Sequence, residues 1–272
     1  MSTEARNPRS IGLDKMNARE IVRLMNEEEA AVLRALSQAE EPLAKAVELA
    51  AEAYRNGGRI IYVGAGTSGR IATMDAAEMP PTFGTDSDRF VAIIAGGSGA
   101  GVTAVEDAED DEHAAVSALN ALKVTTTDFV VGIAASGKTP FVIAACRHAR
   151  QKGLATCGIV NNRTAPLLES VDLKVILETG PEVLTGSTRL KAGTAQKLAL
   201  NRISTGAMIL NGKVIENLMV DVKAKNNKLR ERCAKIVREL TAATEEEARA
   251  LLEQNDWSIR RVLEILKQQS HA

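Results

Sequence analysis

One short stretch constrains this chain more than any other. An apolar run at 59–63, RIIYV, feeds without a break into Gly64-Ala65-Gly66-Thr67-Ser68-Gly69 and then into helical sequence. A buried strand that ends in a glycine-rich turn and opens a helix begins a strand–helix–strand unit. The pattern recurs, with apolar strands expected at 90–94, 128–133, 155–160 and 173–177 and helical stretches between them. Each run is almost continuously apolar rather than alternating, as in strands covered on both faces. The expected fold is therefore α/β, a doubly wound five-stranded parallel sheet. Aromatic residues are 3% of the chain against 45% hydrophobic residues overall, so Ala, Val, Ile and Leu must fill the core.

Helices are expected on both sides of this sheet. Residues 17–54 carry Ile21, Leu24, Met25, Val32, Leu33 and Leu36 at helical spacing. A helix should follow the first loop until Pro80-Pro81 stops it. An alanine-rich acidic helix is expected at about 102–122, and a long one at 187–210. Beyond 223 the sequence reads as short helices at 226–240, 245–254 and 258–268, with Thr244 and Glu247 as a capping box. Trp257, Ile259, Val262, Leu263 and Leu266 make an apolar stripe there, like that of a small three-helix module, and are read as packing surface. The organisation expected is a helical segment at 1–56, an α/β domain at 57–222 and a helical subdomain at 223–272.

Charge and composition remove several function classes. Thirty-four basic residues against 35 acidic ones give a net charge of −1, which offers nucleic acid no electrostatic footprint. Cys146, Cys157 and Cys233 have no paired spacing, and only three histidines accompany them, so no metal site is expected. No apolar run approaches the roughly 20 residues of a membrane span. The opening MSTEARNPRS lacks the apolar core of a signal peptide. A cytoplasmic location without a membrane partner is expected.

The first loop fits G-x-G-x-x-G, which in this context suggests a dinucleotide site. Two features argue otherwise. The second strand ends in Ile93-Ile94-Ala95-Gly96-Gly97, with no carboxylate to hold a ribose, and the loop carries hydroxyls at Thr67 and Ser68. Hydroxyls with free N–H groups at a helix start suit a phosphate monoester better. After the third strand comes a comparable loop, Ser136-Gly137-Lys138-Thr139-Pro140. Either loop alone reads as a helix cap. Together, at the carboxyl ends of strands in an open sheet, Gly66, Thr67, Ser68, Gly69, Ser136, Gly137 and Thr139 point to one phosphate. Neither Ser68 nor Ser136 has a His/Asp partner in view, so a serine-hydrolase reading fails.

GAGTSGR at 64–70 and AASGKTP at 134–140 resemble a sugar isomerase (SIS) domain. DAAEMPPTFG at 75–84 and GSTRLKAGTAQK at 186–197 are similar, more narrowly, to the N-acetylmuramic acid 6-phosphate etherases, as are RNPRS at 6–10 and STGAM at 204–208. The resemblance runs from about residue 6 to the C-terminal helices. Ala77 and Met79 depart from the family pattern, where Ser and Cys or Ile are expected, but neither change touches a carboxylate.

The resemblance implies removal of D-lactate from carbon 3 of N-acetylmuramic acid 6-phosphate, by elimination and then hydration, with no cofactor. A base takes the proton at carbon 2, and an acid protonates the departing lactyl oxygen. By resemblance Glu78 is the acid and Glu109 the base, with Glu106 as fallback. Read without the family, Glu78 would be a solvated helix-end residue and most of the acidic run a solvated face. Arg189 and Lys191 open a helix where a lactyl carboxylate or phosphate could meet them, or where buried pairing could occupy them. His113 is expected at the surface. The family also implies a homodimer. Rival readings are an aldose–ketose sugar-phosphate isomerase, which would release no lactate, and a silent sugar-phosphate sensor, which would bind without turnover.

Overall fold

The computed structural model describes residues 3–103, 105, 107–224 and 226–269. Its chain divides into two compact units, Met1–Ala76 with Asp88–Ala207, and Ala77–Ser87 with Met208–Ala272. The N-terminal helices share a unit with the sheet, and the units part at 76/77, 87/88 and 207/208.

The first unit opens with α1 (Ala18–Gln38) and α2 (Glu40–Arg55), one helical stretch interrupted at Ala39. Asn17 caps α1 through a full capping box: its side chain accepts from Glu20 N at 3.1 Å, and Glu20 accepts from Asn17 N at 2.8 Å. Five parallel strands follow: β1 (Ile60–Gly64), β2 (Phe90–Ile94), β3 (Phe129–Ile133), β4 (Ala155–Val160) and β5 (Leu173–Ile176). They lie in the order β2-β1-β3-β4-β5, the doubly wound sheet expected from the sequence. Every residue of β1 and β3 is buried, which explains their uninterrupted apolar character. Gly132 in β3 sits beside Gly158 in β4, and a β-carbon at Gly132 would lie 2.4 Å from Cys146 Sγ. The missing side chain lets α5 (Pro140–Gln151), which carries Cys146, approach the sheet closely. Cys146, Cys157 and Cys233 are all free and buried.

Three helices depart from expectation. The acidic helix is α4, only Glu112–Ala121. Ahead of it, Gly96, Gly97 and Asp107 have φ of +86°, +73° and +59°, which no right-handed helix admits. The chain forms 3-10 turns at Ser98–Gly101 and Ala108–Asp110 instead, and the Asp111 side chain caps α4 by accepting from Ala114 N at 2.8 Å. Helix α3 (Gly66–Phe83) runs through Pro80 and Pro81 rather than stopping there. The prolines delete two donors near its end, and Gly84, at φ +65°, closes it by donating to Pro80 O at 3.0 Å. Helix α6 is Lys191–Leu210, four residues shorter at its start than expected. Glu182, from the preceding loop, sets that start: its carboxylate accepts from Lys191 N at 3.1 Å and Ala192 N at 2.9 Å.

In the second unit, a two-residue hairpin pairs β6 (Val214–Ile215) with β7 (Leu218–Met219), too short to leave a pattern in the sequence. Helices α7 (Asn227–Leu240), α8 (Glu245–Gln254) and α9 (Ile259–Gln269) enclose a small core of their own. Ile259, Val262 and Leu263 are buried in it, while Trp257 and Leu266 pack partly buried against it. Thr244 caps α8 by accepting from Glu247 N at 3.2 Å.

Candidate active site

Strands β1 and β3 are neighbours, and the last residue of each, Gly64 and Ile133, are register partners. The two hydroxyl-bearing loops therefore leave the sheet side by side. This is also where the winding reverses, since the chain passes from β1 outward to β2 and returns to β3 on the other side. Such a switch point, outside the carboxyl ends of the strands, is where open α/β sheets bind ligands.

Close packing fixes both loops. A β-carbon at Gly69 would stand 2.5 Å from Ile94 Cγ1, so glycine is what brings α3 down against β2. Gly137 has φ +65°, and a β-carbon there would lie 2.3 Å from that of Ala165. Ser136 Oγ accepts from Lys138 N at 3.2 Å, tightening the second loop. Thr139 precedes α5, yet makes no side-chain cap bond. Capping is therefore not what occupies its hydroxyl. Ser68 is buried and donates to Gln196 Oε1 at 2.8 Å; Gln196 Nε2 donates to Asn161 Oδ1 at 3.1 Å, and Asn161 Nδ2 to Leu177 O at 2.8 Å. This line of amides ties the first loop to α6 and to the ends of β4 and β5. Thr67 lies close by, its methyl 3.5 Å from where a β-carbon would stand at Gly193.

At the start of α6 the two basic candidates part company. Arg189 is exposed. Lys191 is only 3% exposed, and its Nζ donates to Glu28 Oε2 at 2.5 Å. Of the two readings of Lys191, buried pairing is the one its geometry has. Asn7 Nδ2 donates to the same carboxylate at 2.7 Å and Arg9 Nη1 at 3.0 Å, so the RNPRS segment is part of this clamp. Burial pushes the Glu28 carboxyl up, but the bonds from Lys191 and Asn7 outweigh it and hold the group below the usual carboxylate range.

Glu78 lies late in α3, exposed, in the part of that helix assigned to the second unit. Glu109 is also exposed, on the 3-10 turn Ala108–Asp110. Glu106 lies outside the described residues, and Glu109 stands on a 3-10 turn and not on the helix expected for it. His113 is exposed near the start of α4. A cavity of about 650 Å³ opens beside β2, lined by Ile94, Gly97, Ser98, Ala108, Asp111 and Phe141 among others.

Two residues lie in motifs quoted from the sequence but were given no role there. Asp75, on α3, is buried and accepts from Tyr62 Oη at 3.1 Å and from Asn201 Nδ2 and Ser204 Oγ at 3.2 Å each. Burial lifts its carboxyl above the usual range despite these bonds. Arg70, one turn into α3, donates to Ala100 O at 3.0 Å. Among the described residues no helix is long and apolar enough to cross a membrane.

Comparison with known proteins gives the following. The SIS domain family matches residues 101–203, and the glucokinase regulatory protein N-terminal SIS domain family matches residues 42–149. The N-acetylmuramic acid 6-phosphate etherase of Geobacillus thermodenitrificans is 50% identical over 99% of this chain and 91% of its own length. That of Serratia proteamaculans is 51% identical over 95% of this chain and 87% of its own. A solved structure, E. coli CFT073 c3406 in complex with A5P, has the same fold at a TM-score of 0.54 and 18% identity, covering 74% of this chain and 97% of that one.

Proposed function

The chain belongs to the N-acetylmuramic acid 6-phosphate etherase family, and from that premise we propose how its residues divide the reaction. The enzyme is a carbon–oxygen lyase. It cleaves the D-lactyl ether of N-acetylmuramic acid 6-phosphate to give N-acetylglucosamine 6-phosphate and D-lactate.

The 6-phosphate rests on the two loops, with Gly66, Thr67, Ser68 and Gly69 on one side and Ser136, Gly137 and Thr139 on the other; the Ser68 hydroxyl, committed to Gln196, braces its loop and leaves the hydroxyl contacts to Thr67, Ser136 and Thr139. The observation that carries this reading is the register pairing of Gly64 with Ile133, from which both loops rise at the switch point of the sheet. Backbone N–H groups and hydroxyls at two helix starts suit a phosphate dianion. With the sugar open as an aldehyde, Glu109 takes the proton at carbon 2. The electron pair forms a carbon 2–carbon 3 double bond, and the carbon 3–oxygen bond breaks as Glu78 gives its proton to the lactyl oxygen. Water then adds at carbon 3, losing a proton to Glu78, and Glu109 returns its proton to carbon 2. Atoms and protons balance, and no cofactor is consumed. Arg189, exposed ahead of α6, is the cation for the lactyl carboxylate. Lys191, two residues on, is held by Glu28 and fixes the start of α6.

The enzyme works in the cytoplasm as a homodimer. Exposed apolar side chains of the first unit support the dimer, among them Ile11 (64%), Val22 (58%) and Leu33 (63%). A monomer in light scattering at assay concentration, with activity intact, would rule the dimer out.

The test of the function is lactate release from N-acetylmuramic acid 6-phosphate, without added metal or nucleotide, by the parent and by Glu78→Ala. The parent should release lactate, and the variant should be slower by about 10²–10⁴-fold. A folded parent that binds the sugar phosphate yet yields no lactate would turn the reading toward an isomerase or a sensor.

A further inference from the structure

Arg70 touches two parts of the first unit that the reaction uses for different ends. Its Nη1 donates to Ala100 O at 3.0 Å, across 30 residues of sequence. Its Nη2 lies 3.9 Å from the point a β-carbon would occupy at Gly66, so the same guanidinium faces the first phosphate loop. Ala100 belongs to the turn Ser98–Gly101, which begins the segment leading to Glu109.

Ala100 is the buried residue of that turn, 3% exposed, and the residues around it are open. The turn's other hydrogen bonds among the described residues are local: Ala100 N to Gly97 O at 3.1 Å, Val102 N to Gly99 O at 3.1 Å, and Thr103 N and Oγ1 to Gly99 O at 3.2 and 3.4 Å. Gly97, Gly99 and Gly101 have open space where a β-carbon would be, and Val102 is 91% exposed. On its other side lies the cavity, lined by Gly97, Ser98, Gly101 and Ala108. With one small side chain buried and three open glycines around it, a charge-assisted bond to the Ala100 carbonyl adds a directional anchor to the turn. A guanidinium is suited to hold two acceptors at once, because its donors fan out from a rigid plane.

We propose that Arg70 is a positioning residue that ties occupancy of the first phosphate loop to the placement of the segment carrying Glu109. The proposal rests on the reading that Gly66–Gly69 holds the 6-phosphate and that Glu109 acts at carbon 2. An arriving phosphate gives Nη2 an acceptor and orients the guanidinium from both edges. The Ala100 carbonyl, already on Nη1, is then held in one place, and the chain toward Ala108–Asp110 with it. With the loop empty, Arg70 is anchored on one edge only and holds the turn Ser98–Gly101 less firmly. Substrates without the phosphate would leave the base poorly placed, so specificity for the 6-phosphate would appear in turnover and not in binding alone.

The experiment compares the parent with Arg70→Lys and Arg70→Met. It measures kcat and KM for lactate release, and hydrogen–deuterium exchange of peptides covering Ser98–Gly101 and Ala108–Asp110. Exchange is followed with N-acetylglucosamine 6-phosphate, with N-acetylglucosamine and with neither. In the parent, only the phosphorylated sugar should slow exchange in these peptides. Arg70→Lys keeps the charge but not the fork; it should keep most of its affinity, lose the ligand-dependent protection and drop about 10–100-fold in kcat. Arg70→Met should lose affinity as well. If Arg70→Lys keeps both kcat and the protection, charge alone suffices and the tie is refuted. Unchanged kcat in Arg70→Met, with only KM raised, refutes it too. Melting curves confirm that each variant is folded, and should Arg70→Met fail to fold, Arg70→Lys decides. A parent that shows the protection but releases no lactate would overturn the etherase assignment and leave the tie standing. A parent that releases lactate without any protection would overturn the tie alone.

Discussion

Removing the ammonium of Lys191 should cost stability before it costs substrate affinity. Its side chain is 3% exposed and that of Glu28 10%, at an N–O distance of 2.5 Å. Deleting one partner of such a pair typically costs about 3–5 kcal/mol, because the other charge stays buried without its counterion. In Lys191→Met the Glu28 carboxylate still accepts from Asn7 at 2.7 Å and from Arg9 at 3.0 Å. The loss should therefore fall at the lower end, about 3 kcal/mol. For a unit of this size that is a fall in Tm of roughly 6–12 °C.

The double variant Glu28→Met with Lys191→Met is the sharper measurement. It removes both charges and leaves apolar stems of similar length, an exchange that is often close to neutral. It should regain at least half of what the single variant loses, giving a coupling energy on the order of 2 kcal/mol. Urea denaturation followed by far-ultraviolet circular dichroism is the right assay. The chain's single tryptophan, Trp257, lies in the second unit, so its fluorescence would follow the wrong part of the molecule. Strict additivity in the double variant would refute the pairing argument. So would a Lys191→Met enzyme with parental stability and a raised KM, which would return the ammonium to substrate recognition.

Two further perturbations test the scaffold. Asp128 is 2% exposed and accepts from Arg59 Nε at 3.1 Å, Arg59 Nη2 at 2.7 Å, Arg59 N at 2.8 Å and Thr125 N at 2.8 Å. Burial pushes this carboxyl up, but the bonds from Arg59 and Thr125 prevail and hold it below its ordinary value. Its stabilising contribution is then complete above the unfolded pKa of about 4 and disappears as pH falls through the lower folded value. Asp128→Asn should cost about 2–3 kcal/mol near neutrality and abolish that part of the acid sensitivity; equal losses at pH 7 and pH 2 in urea titrations would contradict this. Gly137→Ala meets both a left-handed backbone at φ +65° and the Ala165 side chain at 2.3 Å. It should lose roughly 2–4 kcal/mol from the strained backbone and overpacking combined, read from the denaturation midpoint. Parental stability would mean the loop has room that these distances deny.

The sheet was legible because its signal is local. Five apolar runs of four to six residues, each followed by a turn, announce buried parallel strands wherever they occur, and β2 and β4 fall on the residues expected. Helix ends were less legible because their determinants lie elsewhere in the chain. The start of α6 depends on Glu182, whose carboxylate takes the first two N–H groups of the helix from outside it. The acidic stretch before α4 has the composition of a helix, but Asp107 at φ +59° cannot belong to one. Within the site, the loops could be named from spacing alone, because glycine and hydroxyl positions repeat after two strands. Their wiring could not. Ser68 meets Gln196 across 128 residues and Lys191 meets Glu28 across 163, separations at which no periodicity survives. Arg70 was quoted only as the end of GAGTSGR, since an arginine there is ordinary until its carbonyl partner is seen.

The depth at which the three thiols are buried has a practical side. Burial pushes Cys146 up to about 12 and Cys233 to about 11, and raises Cys157 as well. A thiol must ionise to attack, so maleimides and disulfide exchangers should find almost nothing to react with on the folded molecule. The native chain is thereby its own cysteine-blank background. A probe introduced at an exposed position such as Val102, by Val102→Cys, would carry the only readily labelled sulfur. A dye there would sit on the stretch leading to Glu109 and could report its motion in an enzyme otherwise unaltered.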